Sequence, residues 1–301
     1  MPLSPYSVLE IQPEWVLEPE GMGSKEKFWY RAKDGEPEWL FKFPQPNTGQ
    51  HWAEKIAAEV AAAMGVLHGV VELAFFQGTH GSATESFARD GRELFHGNQI
   101  LAGKVHGYDP GKEFRQCDHT LGNIFLGLER TFTKPDGAHK AKVGLADYLV
   151  LDAVIGNTDR HHENWGITRK QVGDRWRGLV APTFDHASSL GRELLDVGEG
   201  KSRRQILTQK RIGQYSEKAP GAIYWDRQDK RGISPLELIR RAARLHPDLF
   251  RPGLAKLGKL ERPLLEEMVE RVPQDWMTPL AREFAVALMC YNIQELRMIQ
   301  V

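Results

Sequence analysis

After the first third of this chain the hydrophobic pattern changes period, and no other feature constrains the fold as much. Up to about residue 88, apolar side chains come in short aromatic and aliphatic runs: Trp15–Leu17, Phe28–Arg31, Glu38–Phe43, Val70–Gln77 and Ser82–Phe87. Runs of this length between turn residues read as strands. Asp34-Gly35 favours a reversal between two of them, and Gly78-Thr79-His80-Gly81 joins the last pair. One Ala-rich helix interrupts them, from His51 to about Met64, with Ile56, Val60 and Met64 on one stripe and Gly65 placed as a C-cap. Beyond that point the period is helical, over residues 118–132, 141–156, 234–250, 261–272 and 278–299. Two strand-like pieces, Trp165–Arg169 and Trp176–Val180, lie inside the helical part. The expectation is an α+β, two-lobed architecture: a small β-rich lobe over residues 1–90 and a larger helical lobe over 91–301. Their seam falls near 86–95, where Arg89-Asp90-Gly91 marks a turn.

Composition narrows the class. Lys plus Arg number 40 and Asp plus Glu number 40, so the formal net charge is zero. That excludes a generally basic nucleic-acid coat and an acidic disordered tail. The two cysteines, Cys117 and Cys290, read as reduced thiols. Residues 1–15 lack a basic start followed by an apolar stretch, so no signal peptide is expected. The longest apolar stretch, Leu145–Ile155, carries Asp147 and Asp152 and falls short of the ~18–20 residues a membrane helix needs. A cytoplasmic protein is expected.

The most informative segment is Gly156-Asn157-Thr158-Asp159-Arg160-His161-His162-Glu163-Asn164-Trp165-Gly166, between an apolar helix and a strand. Asp159 and Asn164 stand five apart, which lets a carboxylate face a substrate hydroxyl while the amide turns toward a metal. A second carboxylate, Asp185, follows the next strand in Pro182-Thr183-Phe184-Asp185-His186. One amide and one carboxylate suit Mg²⁺, which keeps few protein ligands and bridges polyphosphate oxygens. Lys42, between Phe41 and Phe43, points to the face opposite those aromatics. There it meets phosphates, provided an acid holds it. Glu54 on the Ala-rich helix is that acid, with Glu59 as its rival farther from the apolar stripe. The turn Gly21-Met22-Gly23-Ser24 can close over phosphates with its backbone N–H groups.

Strand lysine, helix glutamate, Asp with Asn five residues on and a later metal Asp resemble the protein-kinase arrangement. Ordinary His-Arg-Asp and Asp-Phe-Gly signatures are absent. The string Ile155-Gly156-Asn157-Thr158-Asp159-Arg160-His161-His162-Glu163-Asn164 instead resembles the HipA-like serine/threonine kinases of bacteria, distantly similar to phosphatidylinositol 3/4-kinases. Trp39–Pro44 and the helix from His51 to Ala57 also match. With the first kinase strand expected near Trp15, the chain is more similar to the short stand-alone members of HipT and CtkA type than to members with an additional N-terminal subdomain.

The resemblance implies a protein-kinase-like fold, ATP and Mg²⁺ as cofactors, and transfer to Ser or Thr of a protein. Asp159, Asn164 and Asp185 are then catalytic, with Asn164 and Asp185 on the metal. Lys42, Glu54, Gly21, Gly23 and Ser24 attend the phosphates, and Glu85, Ser86 and Phe87 the adenine. It also implies a toxin–antitoxin role, an antitoxin partner, substrates such as aminoacyl-tRNA synthetases, and autophosphorylation in the glycine loop, where Ser24 is the hydroxyl residue. A lipid or small-molecule phosphotransferase on the same core is the alternative.

His161 and His162 lack the partner spacing of a zinc site, and one of them is expected to hold Asp159 by a hydrogen bond. Residues 201–231 carry nine cations against Glu217, Asp226 and Asp229, a net of +6 in a balanced chain. This run reads either as a solvated loop or as a docking surface for an acidic peptide or a nucleic-acid-associated protein.

Overall fold

A computed structural model describes residues 3–19, 26–112, 115–198 and 201–300. Residues 8–85 build one six-stranded sheet from β1 (Val8–Glu10), β2 (Val16–Pro19), β3 (Lys27–Tyr30), β4 (Trp39–Lys42), β5 (Val71–Phe76) and β6 (Thr79–Glu85). The spatial order is β1-β5-β6-β4-β3-β2, antiparallel except for β1 on β5. The sequence pattern did not register β1. It is three residues long, and its partner lies some sixty residues away, where no local signal reaches. Glu36 closes a turn onto Lys33 at 3.1 Å with Gly35 at φ 83°, so the Asp34-Gly35 signal makes a turn within a longer loop. Strand β6 starts at Thr79, not Ser82, because Gln77 and Gly78 alone supply the left-handed turn.

Gly81 sits mid-strand, where a Cβ would stand 2.4 Å from the Phe41 ring and 2.7 Å from the Lys42 carbonyl oxygen. We expect Gly81→Ala to lower stability by about 1–3 kcal/mol through overpacking. A urea midpoint equal to that of the parent protein would contradict this.

Helix α1 (Gln50–Met64) packs behind β5 and β6. The Ile56, Val60 and Met64 stripe is fully buried, and Gly65 caps the helix at φ 70°. This stripe joins the main core through Leu149, Phe250 and Met289 of the second half, so one apolar cluster spans both halves. The opposite sheet face carries its own aromatic cluster of Phe28, Tyr30 and Phe41, flanked by Phe43 and Phe76. Thus Phe41 and Phe43 face one side while Lys42 faces the cleft.

The seam turn closes with Arg92 N–H on Arg89 O at 3.0 Å, Asp90 and Gly91 both having positive φ. It leads into β7 (Arg92–His96), which pairs with β8 (Gly166–Val172) and through it with β9 (Arg175–Val180). The helical part holds α2 (Gly97–Lys104), α3 (Leu121–Thr131), α4 (Pro135–Ile155), α5 (Arg203–Thr208), α6 (Ile212–Lys218), α7 (Pro235–Leu245), α8 (Pro247–Lys256), α9 (Arg262–Glu270) and α10 (Pro279–Arg297).

Three expectations are corrected. Helix α4 starts six residues earlier than its apolar pattern, because Pro135 is tolerated in the first helical turn. The single helix expected over 234–250 is two. His246 precedes Pro247 and leaves the helical region at φ −132° and ψ 58°, as pre-proline sterics favour. The basic run 201–231 is not a loop throughout, since Ile206, Ser216, Ile223 and Tyr224 are buried and α5 and α6 occupy its first half. Among the described residues no helix is long and apolar enough to cross a membrane.

Candidate active site

Between the six-stranded sheet and the helical part runs a cleft of about 450 Å³. Trp29, Leu40 and Lys42 line it from the sheet, and Asp159, Asn164 and Asp185 from the other side. Gly21, Gly23 and Ser24 lie outside the described residues.

Helix α4 ends at Gly156, φ 65°, which turns the chain out of the apolar core into the loop 157–165. Arg160 holds this loop from within. Fully buried, it makes a two-pronged bond to Asp152, Nε to Oδ2 and Nη2 to Oδ1, each at 2.8 Å. Its Nη1 donates to the carbonyls of Asn164 and, at 3.0 Å, Phe184. One guanidinium therefore ties the end of α4, the Asp159–Asn164 loop and the residue before Asp185. Asn157 Nδ2 adds a bond to Asp152 Oδ1 at 2.8 Å. Neither Arg160 nor Asp152 was singled out from sequence for this role. The available signal was a carboxylate inside an otherwise apolar helix, which requires a partner.

Asp159 stands 40% exposed at the side chain. Ser188 Oγ donates to its Oδ2 at 3.3 Å, and Arg192 Nη2 donates to Ser188 Oγ at 3.2 Å. These two residues were also missed. They lie close to Asp159 only because the segment after Asp185 folds back across the loop. His161 Nε2 is 4.0 Å from Asp159 Oδ1, and its Nδ1 accepts from the Glu163 amide at 3.2 Å. At that distance there is no hydrogen bond, and His162 Nδ1 is engaged with the Tyr108 hydroxyl at 2.8 Å, so neither histidine ring holds Asp159 as expected; Ser188 does. Asn164 Nδ2 donates to the Asp159 carbonyl at 2.8 Å, which turns its Oδ1 away from that bond.

Asp185 sits at φ 56°, a left-handed conformation uncommon for side-chain-bearing residues and one that Asp, with Asn and His, adopts more readily than most. The chain on either side is clamped. Thr183 N–H bonds Leu67 O at 2.9 Å and Gly69 N–H bonds Thr183 O at 3.0 Å. After Asp185, the His186 amide donates to Glu54 Oε1 at 2.9 Å. Asp185 Oδ2 lies 3.3 Å from Lys42 Nζ. The lysine thus reaches Asp185 directly, whereas Glu54, expected to hold it, spends Oε1 on the His186 amide and ring, the latter at 3.3 Å. The rival Glu59 is turned elsewhere and pairs with Lys55 at 2.8 Å.

Burial alone lowers the Lys42 ammonium, but Asp185 and Glu54 outweigh it and hold its pKa above the ordinary lysine value. Burial raises Glu54, and Lys42 and the His186 hydrogen bond outweigh that and hold it below the usual carboxylate range. Both groups are therefore charged at neutral pH.

At the seam, Ser86 N–H is already committed to Glu38 O at 2.8 Å, and Glu85 N–H to Val70 O at 2.9 Å. Of these three expected adenine contacts, all of which line the cleft, Phe87 is the one whose amide makes no backbone hydrogen bond with the described residues. The Phe87 ring packs on Phe184 with centroids 5.4 Å apart and forms part of the wall.

The floor carries two buried histidines. His119 Nδ1 donates to Ala222 O at 3.0 Å and Nε2 accepts from the Trp165 indole N–H at 3.1 Å, so both nitrogens are satisfied in the neutral ring. Burial pushes it down to about 3, and likewise His162 and His51 down to about 4. Unfolded, these rings take protons near the ordinary 6.5. The unfolded chain therefore binds more protons between those limits, and stability is lost as pH falls below about 6.5. The thermal midpoint is expected to drop between pH 7 and pH 5, and an unchanged midpoint would contradict this.

The residues fit a divalent cation and a polyphosphate. Among the described residues no cluster of three or more His, Cys, Asp or Glu gathers as a metal site. The Asn164 amide and Asp185 carboxylate are the hard oxygen donors that Mg²⁺ accepts in small number. The decisive observation is Glu54 Oε2, fully buried and without a hydrogen-bond partner among the described residues. An orphaned carboxylate oxygen beside Lys42 is an acceptor that the lysine could use if Asp185 were to hold a cation.

The sequence profile of the HipA-like C-terminal domain matches residues 20–244. No curated protein sequence matches the chain significantly. Among solved structures, the Helicobacter pylori proinflammatory kinase CtkA superposes with a TM-score of 0.74 at 17% identity, over 97% of both chains. HipA of Shewanella oneidensis, determined with HipB and operator DNA, superposes with a TM-score of 0.58 at 15% identity, over 97% of this chain and 69% of that one. At such identities the likeness establishes the fold, a two-lobed α+β protein-kinase-like architecture.

Proposed function

The chain belongs to the family of HipA-like C-terminal domains, and from that premise we propose that it is an ATP- and Mg²⁺-dependent kinase acting on Ser or Thr of a protein. The observation that carries this reading is the convergence of Lys42, Asp185, Asn164 and Asp159 on one cleft, with Glu54 buried behind Lys42. A metal-dependent hydrolase would give no role to a lysine held charged against the cleft by Asp185 and Glu54.

In this reading Asp159 accepts the proton of the attacking hydroxyl. The hydroxyl oxygen forms its bond to the γ-phosphorus as the bond from phosphorus to the β,γ-bridging oxygen breaks, and ADP leaves. Ser188 and Arg192 hold the Asp159 carboxylate in line. Lys42 steadies phosphate oxygens, and Glu54 keeps Lys42 charged. Asn164 and Asp185 would hold Mg²⁺, which supplies charge neutralisation on the phosphates. The Phe87 amide and the Phe87–Phe184 wall receive the adenine, and Gly21, Gly23 and Ser24 cover the phosphates.

The test is incubation with labelled ATP and Mg²⁺, alone and with cell lysate. Label on this protein or on lysate proteins supports the reading. Label confined to lipid or metabolites would move the assignment to a small-molecule phosphotransferase, and no transfer at all would overturn it. Asp185→Ala is expected to lose Mg²⁺-dependent nucleotide binding by calorimetry; unchanged affinity would place the metal elsewhere. A restraining protein partner belongs to the same proposal, by analogy with the HipA determined with HipB. Co-purification with the product of an adjacent reading frame, with loss of transfer in the complex, tests it.

A further inference from the structure

The basic run after Asp185 lends Gly221, Ala222 and Tyr224 to the cleft, but none of its cations lines it. Of its nine cations, Arg203 is buried, pairs with Asp196 at 2.8 Å and donates to Gly191 O at 3.0 Å. Arg227 pairs with Asp118. The others make no ion pair among the described residues, and three of them, Lys201, Arg211 and Lys218, converge on one groove. The groove lies between α5 and α6, measures about 130 Å³ and also presents the amides of Gln205, Gln209 and Gln214. Buried Ile206 and half-buried Tyr215 make its floor, and among the described residues no carboxylate lines it.

Among the described residues the nearby acids Glu193 and Glu217 are committed elsewhere. Glu193 takes the Tyr215 hydroxyl at 2.6 Å. Glu217 faces Arg240, which donates to it at 2.7 and 2.8 Å. What remains is a small cationic recess with amide donors, the complement of a carboxylate side chain. It is mounted on the segment that reaches the candidate active site. The Arg203 amide bonds Leu195 O at 2.9 Å, and Ser188 of the same segment donates to Asp159 at 3.3 Å.

We propose that this groove docks an acidic stretch, Asp or Glu side chains, of the protein that the kinase phosphorylates. The proposal rests on the kinase reading for the identity of the partner, and on the groove alone for its charge preference. A recess of this size admits one or two side chains. Tyr215 is the one aromatic residue lining it, so the recess lacks the succession of rings on which single-stranded nucleic acid stacks.

The test uses a fluorescein-labelled hexaglutamate peptide, a hexaglutamine control and a short single-stranded RNA, read by anisotropy on the full chain. Wild type is expected to bind hexaglutamate about tenfold more tightly than the Lys201→Glu/Arg211→Glu/Lys218→Glu variant does, with affinity falling as salt rises. A Lys201→Gln/Arg211→Gln/Lys218→Gln variant, which avoids introducing like charges, should fall between. With a Ser peptide extended by glutamates, KM should rise about tenfold in the charge-reversed variant while kcat stays unchanged. Equal hexaglutamate affinity in wild type and variant, an unchanged KM, or preference for the RNA would each overturn the proposal. Charge-dependent peptide binding without phosphoryl transfer to any protein would leave the groove's selectivity standing but remove the kinase reading, and with it the substrate assignment.

Discussion

Asp159→Asn should reduce phosphoryl transfer by at least about 100-fold while leaving fold and nucleotide affinity near those of the parent protein. General-base assistance of this kind contributes roughly 10²–10⁴-fold, and the substitution keeps the shape of the side chain. The amide can still accept from Ser188, whose hydroxyl lies 3.3 Å from Oδ2. The main-chain bond from Asn164 Nδ2 to the Asp159 carbonyl does not involve the altered atoms. The Arg160 clamp is likewise untouched. Turnover and nucleotide binding must be measured separately, and turnover within about tenfold of wild type would remove Asp159 from the chemistry. Ser188→Ala offers a graded companion: if the hydroxyl orients Asp159, kcat falls while KM for ATP holds.

The second large effect concerns stability. Arg160→Met should cost about 3–5 kcal/mol, because it leaves Asp152 as an unpaired charge in a site 3% exposed. It also strips the Asn164 and Phe184 carbonyls of their donor. Urea unfolding measures the loss, and a midpoint equal to wild type would show that Arg160 does not hold the loop. If the variant does not accumulate folded, the Asp152→Asn/Arg160→Met pair gives the second reading. Removing both charges avoids the orphaned carboxylate, so part of the stability should return. Failure of the pair to recover any would show that the carbonyl contacts, not the ion pair, dominate.

The fold was legible where local signals carry it. The α1 stripe, its Gly65 cap, the paired aromatics around Lys42 and the seam turn at Arg89–Gly91 are written in neighbouring residues. The strands and helices missed or misplaced have two causes, distant pairing and a local break. β1 needs a parallel partner far along the chain, β7 makes sense only once β8 is beside it, and the α7–α8 break turns on one residue before a proline. The candidate site divides the same way. Asp159, Asn164 and Asp185 announce themselves by type and spacing. Ser188, Arg192, His119 and Arg160 do not, because their meaning lies in contacts made across long stretches of chain.

By itself, the sequence determined the two-part architecture, the residue types able to move a phosphoryl group, and an excess of positive charge after Asp185. Periodicity and spacing are properties of nearby residues, so they survive without coordinates. Only the tertiary structure decided which acid meets Lys42. Asp185 Oδ2 reaches it at 3.3 Å, while Glu54 Oε1 accepts from the His186 amide, which the clamp of Thr183 on Leu67 brings in. Likewise only packing separated the cations that serve the fold from those left to face solvent. Arg203 is drawn inward by Asp196 and Gly191, while Lys201, Arg211 and Lys218 are gathered on one groove by two short helices that charge counting reads as a single loop.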